Sequence, residues 1–149
     1  MFCFVLLVLL AGAVQSDTQE FSVVSVTSSR LSSADRATDG DITTNALTGF
    51  EAAPWYSAEL GDTFSAIRLT IVGYTGRFTA SHTVYTVNNG VETECAKRVE
   101  EERRKSFIWT VVCENAGNGF KITAGPDPEA VLWIRASLSV YEVTVEVCA

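Results

Sequence analysis

An acidic stretch near the start of the chain carries the densest group of possible cation ligands. Residues 35–46, DRATDGDITTNA, place three aspartates and an asparagine around one glycine. Asp35, Asp39 and Asp41 match the first, fifth and seventh positions of an EF-hand loop, but alanines replace the third ligand and the closing glutamate. The EF-hand pattern therefore fails. Two alternatives remain, a turn in which Asp39 accepts N–H bonds and Gly40 takes a positive φ, or a cage of backbone carbonyls closed by carboxylates.

Side chains suited to catalysis are sparse in this sequence. His82 is the only histidine, so there is no zinc cluster, and a histidine-based hydrolase triad would depend on this one residue. It opens a predicted strand, and we expect a surface or sheet-edge histidine. No pair of carboxylates stands out as a glycosidase pair. The sequence therefore predicts a protein that is not an enzyme.

The first 16 residues, MFCFVLLVLLAGAVQS, predict a secretory signal peptide. They are apolar from Phe2 to Val14, and Val14 and Ser16 suit the −3 and −1 cleavage positions. The apolar run, about 13 residues, falls short of the roughly 20 needed to span a bilayer, so we expect no membrane insertion. This interpretation predicts a secreted, extracellular protein whose residues 17–149 form a single domain.

The charge of the chain is strongly negative, at −7. Such a charge opposes binding to nucleic acid or to anionic lipid through long-range electrostatics. An acidic surface is better suited to cations and to neutral ligands.

The four cysteines predict one internal disulfide. Cys3 would leave with the signal peptide. Cys95 and Cys113 flank a charged loop between two strand-like runs, where a disulfide would close a hairpin-like loop. Cys148 would then either join a partner chain, giving a homo-oligomer, or remain a free terminal thiol.

Runs rich in β-branched and aromatic residues, separated by turn signals, predict an all-β fold, an antiparallel sandwich or barrel. The segment 92–105 has helix-forming composition, but its apolar residues are too sparse for a buried stripe. Within it, the run at 100–105, EEERRK, predicts a solvated, charge-balanced loop or strand end. In the last run, Glu142 is expected to share one strand face with Leu138 and Val140. The predicted strands are 21–27, 56–60, 65–73, 82–88, 106–113, 119–124, 130–135 and 138–147.

Several motifs occur in the order found in one known family. They are A-x-D-G-D (37–41), AAPWYSAELG (52–61), SAIRLTI (65–71), the paired cysteines, NGFKIT (118–123) and LSVYEVTV (138–145). Together they resemble the F-type lectins, or fucolectins, which belong to the discoidin-like, galactose-binding-domain-like jelly rolls. The resemblance spans nearly all of residues 17–149 and implies an antiparallel β-sandwich of the jelly-roll type. In the P-W-W motif of this family Trp55 resembles a core residue, and we expect the same of Trp109 and Trp133.

The resemblance also implies a calcium site that joins the acidic stretch to the last strand. The matching positions are Arg36, Asp39, Asp41, Tyr141 and Glu142, with a further ligand near Thr48 or Gly49. Asp39 and Glu142 would bind through their carboxylates, and the other matched residues through backbone carbonyls, a donor set that suits a hard cation. Asp41 and Tyr141 replace the asparagine and cysteine of the family, and neither change removes a carbonyl.

The sugar-binding motif of the family is missing. F-type lectins resemble one another in a histidine that precedes an R-x-D-x4-R/K run, whereas the aligned segment, residues 71–87, contains Arg77 alone and no histidine precedes His82. Arg77 and His82 could form a rebuilt polar site, with Tyr74 or Phe78 as a platform for a sugar face. The alternative is that they are ordinary loop residues.

Two functions are therefore predicted. The first is a secreted, calcium-binding, lectin-like module that recognises carbohydrate or glycoprotein ligands, for example on a cell surface. The second is an adhesion or protein-interaction jelly roll that has lost sugar binding. The fold alone does not decide between them, because function lies in the loops.

Overall fold

Two antiparallel sheets packed face to face make up the fold in the computed structural model. It describes residues 19–21, 25–28, 34–48, 51–127 and 135–148. The strands are β1 (Gln19–Phe21), β2 (Ser25–Ser28), β3 (Ala46–Leu47), β4 (Trp55–Phe64), β5 (Ala66–Thr75), β6 (Thr79–Asn88), β7 (Val91–Val99), β8 (Lys105–Cys113), β9 (Gly117–Pro126) and β10 (Ser139–Cys148). Sheet one has the order β1-β10-β5-β8, with β3 also paired to β10, and sheet two has the order β2-β4-β9-β6-β7. The predicted antiparallel sandwich is confirmed.

Helical structure within the described residues is limited to one 3₁₀ helix, Ala34–Thr38. Its buried residues, Ala34 and Ala37, face the core, and the acidic loop follows it directly. No helix in the described part of the chain is long and apolar enough to span a bilayer.

The core lies between the two sheets and follows from alternation within the strands. In β5, Ile67, Leu69 and Ile71 are fully buried, while Arg68 and Thr70 between them face outward. Each aliphatic side chain buried in this way contributes about 1.5–3 kcal/mol relative to an exposed one. Sheet two supplies the opposing face of the core, in which the larger side chains are Tyr56, Leu60, Val84, Phe120 and Ile122.

A bulge in β10 changes the face on which its residues lie. The register with β5 runs from Val140 opposite Gly73 to Glu142 opposite Val72, so Tyr141 is the extra residue. Because of this bulge, Leu138 and Val140 are buried with the core while Glu142 lies on the outer face. The prediction that Glu142 shares a face with Leu138 and Val140 is therefore wrong.

The segment with helix-forming composition is a strand. Residues Val91–Val99 form β7, which pairs with β6, so the strand partner overrides the local preference. In the charged run that follows, residues 101–104 form an exposed or half-exposed turn, as predicted. Glu100 is buried instead, which contradicts the prediction of a fully solvated run.

The predicted disulfide between Cys95 and Cys113 is present, with 5.2 Å between the two Cα atoms. It connects β7 at the edge of sheet two with β8 at the edge of sheet one, so it joins the sheets rather than two paired strands. Cys148 is also disulfide-bonded. Its partner lies outside the described residues.

The tryptophans contribute less to the core than the sequence suggests. Trp55 is only partly buried, and the Lys121 ammonium lies 5.5 Å from its ring centroid. The neighbouring Tyr56 is the buried aromatic of the motif. Trp109 is partly buried and packs against the core, whereas Trp133, the predicted strand at 130–135 and the predicted signal peptide lie outside the described residues, apart from Arg135.

Candidate functional site

Antiparallel pairing brings several turns to one end of the sandwich. The last residues of β5 pair with the first residues of β8 and β10, and the first residues of β6 pair with the end of β9. The turns at 76–78 and 100–104 therefore lie at the same end as the start of β10. Polar side chains from both sheets meet there.

A polar groove of about 340 Å³ opens at this end, between the end of β7 and the start of β8. This volume is at the lower end of the range for small-molecule sites. Side chains that line it include Thr75, Arg98, Glu100, Glu102, Lys105 and Ser106. Two of these six side chains are cationic and two are anionic, so the groove can both donate and accept hydrogen bonds.

Glu100 forms the floor of this groove. Its side chain is only 4% exposed, and Oε1 lies 2.8 Å from both His82 Nδ1 and Arg98 Nε. The Arg103 guanidinium also donates to the Glu100 carbonyl. The Arg98 guanidinium lies 4.6 Å from the centroid of the Phe107 ring, which fixes it further. The network makes the base of the groove rigid.

His82 lies inside the sandwich, which contradicts the expected surface or sheet-edge position. It is 1% exposed and its ring centroid lies 4.8 Å from that of Phe107. Burial lowers the pKa of His82, although the hydrogen bond and charge of Glu100 oppose this shift. The neutral ring then donates Nδ1–H to Glu100. His82 therefore positions Glu100 and does not reach a surface ligand as a member of a rebuilt sugar site would.

The other two residues of the predicted ligand site lie near the groove. Tyr74 is on the outer face of β5, opposite Ser106 of β8 on one side and Ser139 of β10 on the other. Arg77 is exposed in the turn that follows, with its guanidinium 5.2 Å from the Phe78 ring centroid. Tyr74 and Arg77 thus lie at the turn end, separated from the buried His82.

The acidic stretch forms a closed set of local turns. Asp39 accepts from the Asp41 N–H at 2.8 Å and from the Thr44 hydroxyl at 2.7 Å. Asp41 in turn accepts from the backbone and hydroxyl of Thr43, which lowers the pKa of Asp41. Gly40 takes the positive φ, +77°, that the turn interpretation requires.

Glu142 meets this loop from the other end of the chain. Its Oε2 accepts a 3.1 Å hydrogen bond from the Gly40 N–H. Partial burial raises the pKa of Glu142, and the charges of Asp39 and Asp41 raise it further against the Gly40 hydrogen bond. The bulge at Tyr141 is what turns Glu142 outward toward the loop. The charges of Asp39 and Asp41 are thus close enough to act on Glu142.

The remaining predicted cation ligands have different surroundings. Arg36 is exposed in the 3₁₀ helix, and Tyr141 is the bulged residue of β10. Thr48 is buried and exchanges two 2.9 Å hydrogen bonds with the backbone of Leu138, and Gly49 lies outside the described residues. Within the described ranges, no three His, Cys, Asp or Glu side chains converge as a metal-binding group. A cation here would therefore need backbone oxygens besides carboxylates.

Sequence reasoning missed the groove and its floor. Arg98 and Glu100 fall in a run of charged residues, and Phe107 lies beyond the turn, so their meeting depends on strand pairing. The one available signal of this network was His82, which lies on the apolar side of a strand. A buried histidine needs a polar partner, so its position there indicates that a polar side chain lies nearby.

Comparisons with known proteins identify the architecture. No protein-family model matches the chain, and no curated protein sequence matches it. Among solved structures, the family 32 carbohydrate-binding module of Clostridium perfringens NanJ, in complex with galactose, is 23% identical with a TM-score of 0.63, over 82% of this chain and 92% of that one.

Two further modules give similar values. Chitosan-binding module 1 from a Paenibacillus chitosanase/glucanase is 16% identical with a TM-score of 0.63, over 84% of this chain and 95% of that one. The family 32 module of AlyQ, in complex with 4,5-unsaturated mannuronic acid, is 15% identical with a TM-score of 0.62, over 85% and 97%. The chain therefore has the galactose-binding-like jelly-roll fold of these carbohydrate-binding modules.

Proposed function

We propose that the protein is a non-catalytic carbohydrate-recognition module, a divergent relative of the F-type lectins, secreted and stabilised by calcium. The observation that carries this proposal is a polar groove at the turn end of a sandwich whose fold is shared with carbohydrate-binding modules. The motifs of the acidic loop and of the last strand support the narrower relation to F-type lectins.

The chemistry of the groove suits a hydroxyl-rich ligand. Arg98 and Lys105 supply donors, Glu102 supplies acceptors, and Ser106 supplies both. Arg98, Lys105 and Ser106 lie at the ends of paired strands, and buried Glu100 fixes Arg98. Glu102 lies in the turn between these strands. Tyr74 and Arg77 extend the polar surface on the adjoining strand and turn. The fucose-binding arrangement of F-type lectins is not part of the proposal, because its motif is missing from the sequence. A rebuilt site that includes His82 is not part of it either, because His82 is buried.

A glycan array, followed by calorimetry on the best ligand, tests sugar recognition. We expect Lys105→Ala to weaken glycan binding by about tenfold, the loss of one charge-assisted hydrogen bond. The matched control is Lys121→Ala, which removes a lysine beside Trp55 on the outer face of sheet two. Absence of binding to every glycan, with or without calcium, contradicts the proposal and favours the adhesion module. Equal loss in both variants excludes this groove.

The calcium part of the proposal is supported by the carboxylates of Asp39, Asp41 and Glu142. Partial burial raises the pKa of Glu142, and the charges of Asp39 and Asp41 raise it further; a divalent cation would offset these charges. The donor set consists of oxygens only, with carbonyls from the bulge and the loop, which fits a hard cation.

Thermal unfolding with and without calcium tests this site. A cation present at about 100 times its dissociation constant stabilises the native state by about 2.7 kcal/mol. Asp39→Asn and Glu142→Gln keep hydrogen-bonding oxygens but remove charge, so they should abolish the calcium-dependent shift. Asp62→Asn, an exposed change in β4, should leave it intact. No shift in the unaltered protein up to millimolar calcium contradicts the cation site.

Secretion is tested by the N-terminus of the exported protein. Cleavage after Ser16 predicts a mature chain beginning at Asp17, which intact mass measurement resolves. Retention of the full N-terminus contradicts the predicted signal peptide.

A further inference from the structure

A second groove, with a volume of about 570 Å³, lies at the other end of the sandwich. It opens where the end of β4 lies beside the hairpin turn that joins β6 to β7. Its volume is within the usual range for small-molecule sites. Arg98 of the groove described above and Gly90 of this second groove are roughly 25 Å apart along β7, because an extended strand rises about 3.3 Å per residue. The two grooves are therefore separate.

A long bulge in β4 forms one wall of the second groove. Between Glu59 and Phe64, β4 has four residues, whereas β9 has one residue between their partners. The bulged residues Asp62 and Thr63 are exposed and line the groove, and Asp62 Oδ1 accepts from the Thr63 N–H at 2.8 Å. Bulges are frequent beside binding and active sites, where they redirect side chains. This bulge adds polar side chains to the edge of the groove.

A glycine separates the two sides of the groove. Gly119 lies opposite Glu59 of β4 on one side and opposite Val87 of β6 on the other. Opposite residues of an antiparallel pair share one face of the sheet, so the missing side chain of Gly119 leaves a gap between Glu59 and Val87. A ligand in this gap can contact the backbone of the sheet.

Two asparagines hold the hairpin turn at the other wall. The Asn89 N–H donates to Asn118 Oδ1 at 3.1 Å, and Asn118 Nδ2 donates to Asn89 Oδ1 at 3.2 Å. Asn89 and Gly90 take positive φ angles, +50° and +85°, as a type I′ hairpin turn requires. These two bonds leave Asn89 Nδ2 available to donate to a ligand. The turn is therefore held in place before a ligand binds.

The side chains of the second groove favour a ligand that donates hydrogen bonds. Glu59 and Asp62 contribute carboxylates, which only accept, and Thr63 contributes a hydroxyl. None of the described residues that line this groove is a lysine, arginine or histidine. Val87 is the only aliphatic side chain larger than alanine among them. A ligand that fits should therefore be polar on all sides and carry positive charge rather than negative charge.

We propose that the second groove binds an amino sugar whose amine is unsubstituted. Its ammonium group would pair with Glu59 and Asp62, and its hydroxyl groups would bond to Asn89 and the neighbouring backbone. A lysine side chain of a partner protein fits less well, because its aliphatic stem needs apolar contacts and Val87 alone supplies them. This site is additional to the sugar recognition proposed at Lys105, and either site can exist without the other.

Amide chemical shifts of the ¹⁵N-labelled protein, titrated with a glucosamine trimer, test this location. The titration is made at about pH 6, where the amines are protonated. We expect the Gly90 and Gly119 amides to shift along one common binding curve. The same shifts should appear in Lys105→Ala, because Lys105 lies in the other groove.

Two comparison ligands separate the charge from the hydroxyl groups. The N-acetylglucosamine trimer has the same rings without the charge, and it should bind about fivefold more weakly, which corresponds to about 1 kcal/mol for an exposed ion pair. Spermidine carries amines but no hydroxyl groups, and it should also bind more weakly than the glucosamine trimer.

Glu59→Gln tests the contribution of the carboxylate. It should weaken binding of the glucosamine trimer by about fivefold and leave binding of the N-acetylglucosamine trimer nearly unchanged. Glu94→Gln is the matched control, because Glu94 is an exposed carboxylate on β7 that lines neither groove. This control removes the same charge and should change the affinity by less than about twofold.

Three outcomes overturn the proposal. The first is the absence of shifts at Gly90 and Gly119 with the trimer at about 10 mM; shifts confined to the groove at Lys105 would then support the proposed sugar recognition alone. The second is equal affinity for spermidine and the trimer, which would mean that the acidic surface attracts any cation. The third is equal loss in Glu59→Gln and Glu94→Gln, which would reflect net charge alone.

Discussion

Replacing Glu100 measures how much the buried network below the groove stabilises the fold. The carboxylate, 4% exposed, accepts from His82 and Arg98 at 2.8 Å each. Its removal leaves the buried His82 Nδ1–H without an acceptor, which costs about 1–3 kcal/mol. The Arg98 side chain is 34% exposed and can hydrate, so the lost ion pair adds about 1 kcal/mol or less. We expect Glu100→Ala to lower the free energy of unfolding by about 1–4 kcal/mol.

Equilibrium unfolding in urea, monitored by tryptophan fluorescence, provides the measurement. Glu101→Ala is the matched control, because Glu101 is exposed in the same turn, and it should change stability by about 0.5 kcal/mol or less. Glu100→Gln keeps an oxygen for His82 and should cost about 1 kcal/mol. If Glu100→Ala is no more destabilising than Glu101→Ala, the network does not stabilise the fold and the reasoning is refuted.

Three further perturbations act elsewhere in the sandwich. Burial lowers the pKa of His82, so the unfolded chain takes up a proton at a higher pH than the folded protein does. Stability should therefore fall below about pH 6.5, by at most about 1.4 kcal/mol per pH unit. In thermal melts, His82→Gln should lack this loss of stability at low pH, and a pH profile identical to that of the unaltered protein contradicts the role of His82. Replacing Cys95 and Cys113 together by serine should cost about 3 kcal/mol in urea unfolding for a separation of 18 residues. Gly119→Ala should cost about 1–3 kcal/mol, because its Cβ would lie 2.6 Å from the Ala58 carbonyl oxygen, and an unchanged melting temperature would refute this steric argument.

Strand alternation predicts much of the fold but not its irregularities. The pattern of β5 identifies Ile67, Leu69 and Ile71 as core residues, and they are buried. In β10 the same rule assigns Leu138 and Val140 to the outer face, because a one-residue bulge leaves no mark in composition. Register depends on the partner strand, and the partner is not visible in a single segment.

The candidate sites show the same limit at longer range. The resemblance places Asp39 and Glu142 at one site, and the structure brings Glu142 to Gly40 in the adjacent turn. No sequence pattern pairs His82 with Glu100, because a charged run is normally solvated and the contact exists only where β6 and β7 pair. The hydrogen bond between His82 and Glu100 therefore depends on tertiary structure.

The acidic loop and the groove are linked by a row of side chains across sheet one. Asn45 donates to the Ser139 hydroxyl at 2.9 Å, Ser139 lies opposite Tyr74, and Tyr74 lies opposite Ser106 at the groove. Neighbouring strands are about 4.8 Å apart, so the start of β10 and the groove are separated by roughly 10 Å of hydrogen-bonded sheet. Such a sheet is stiff, and loss of a cation should lower stability without moving the groove. If a chelator weakens glycan binding far below the melting temperature, the glycan contacts the acidic loop itself. If the chelator weakens binding only at temperatures near unfolding, the effect comes from lower stability alone.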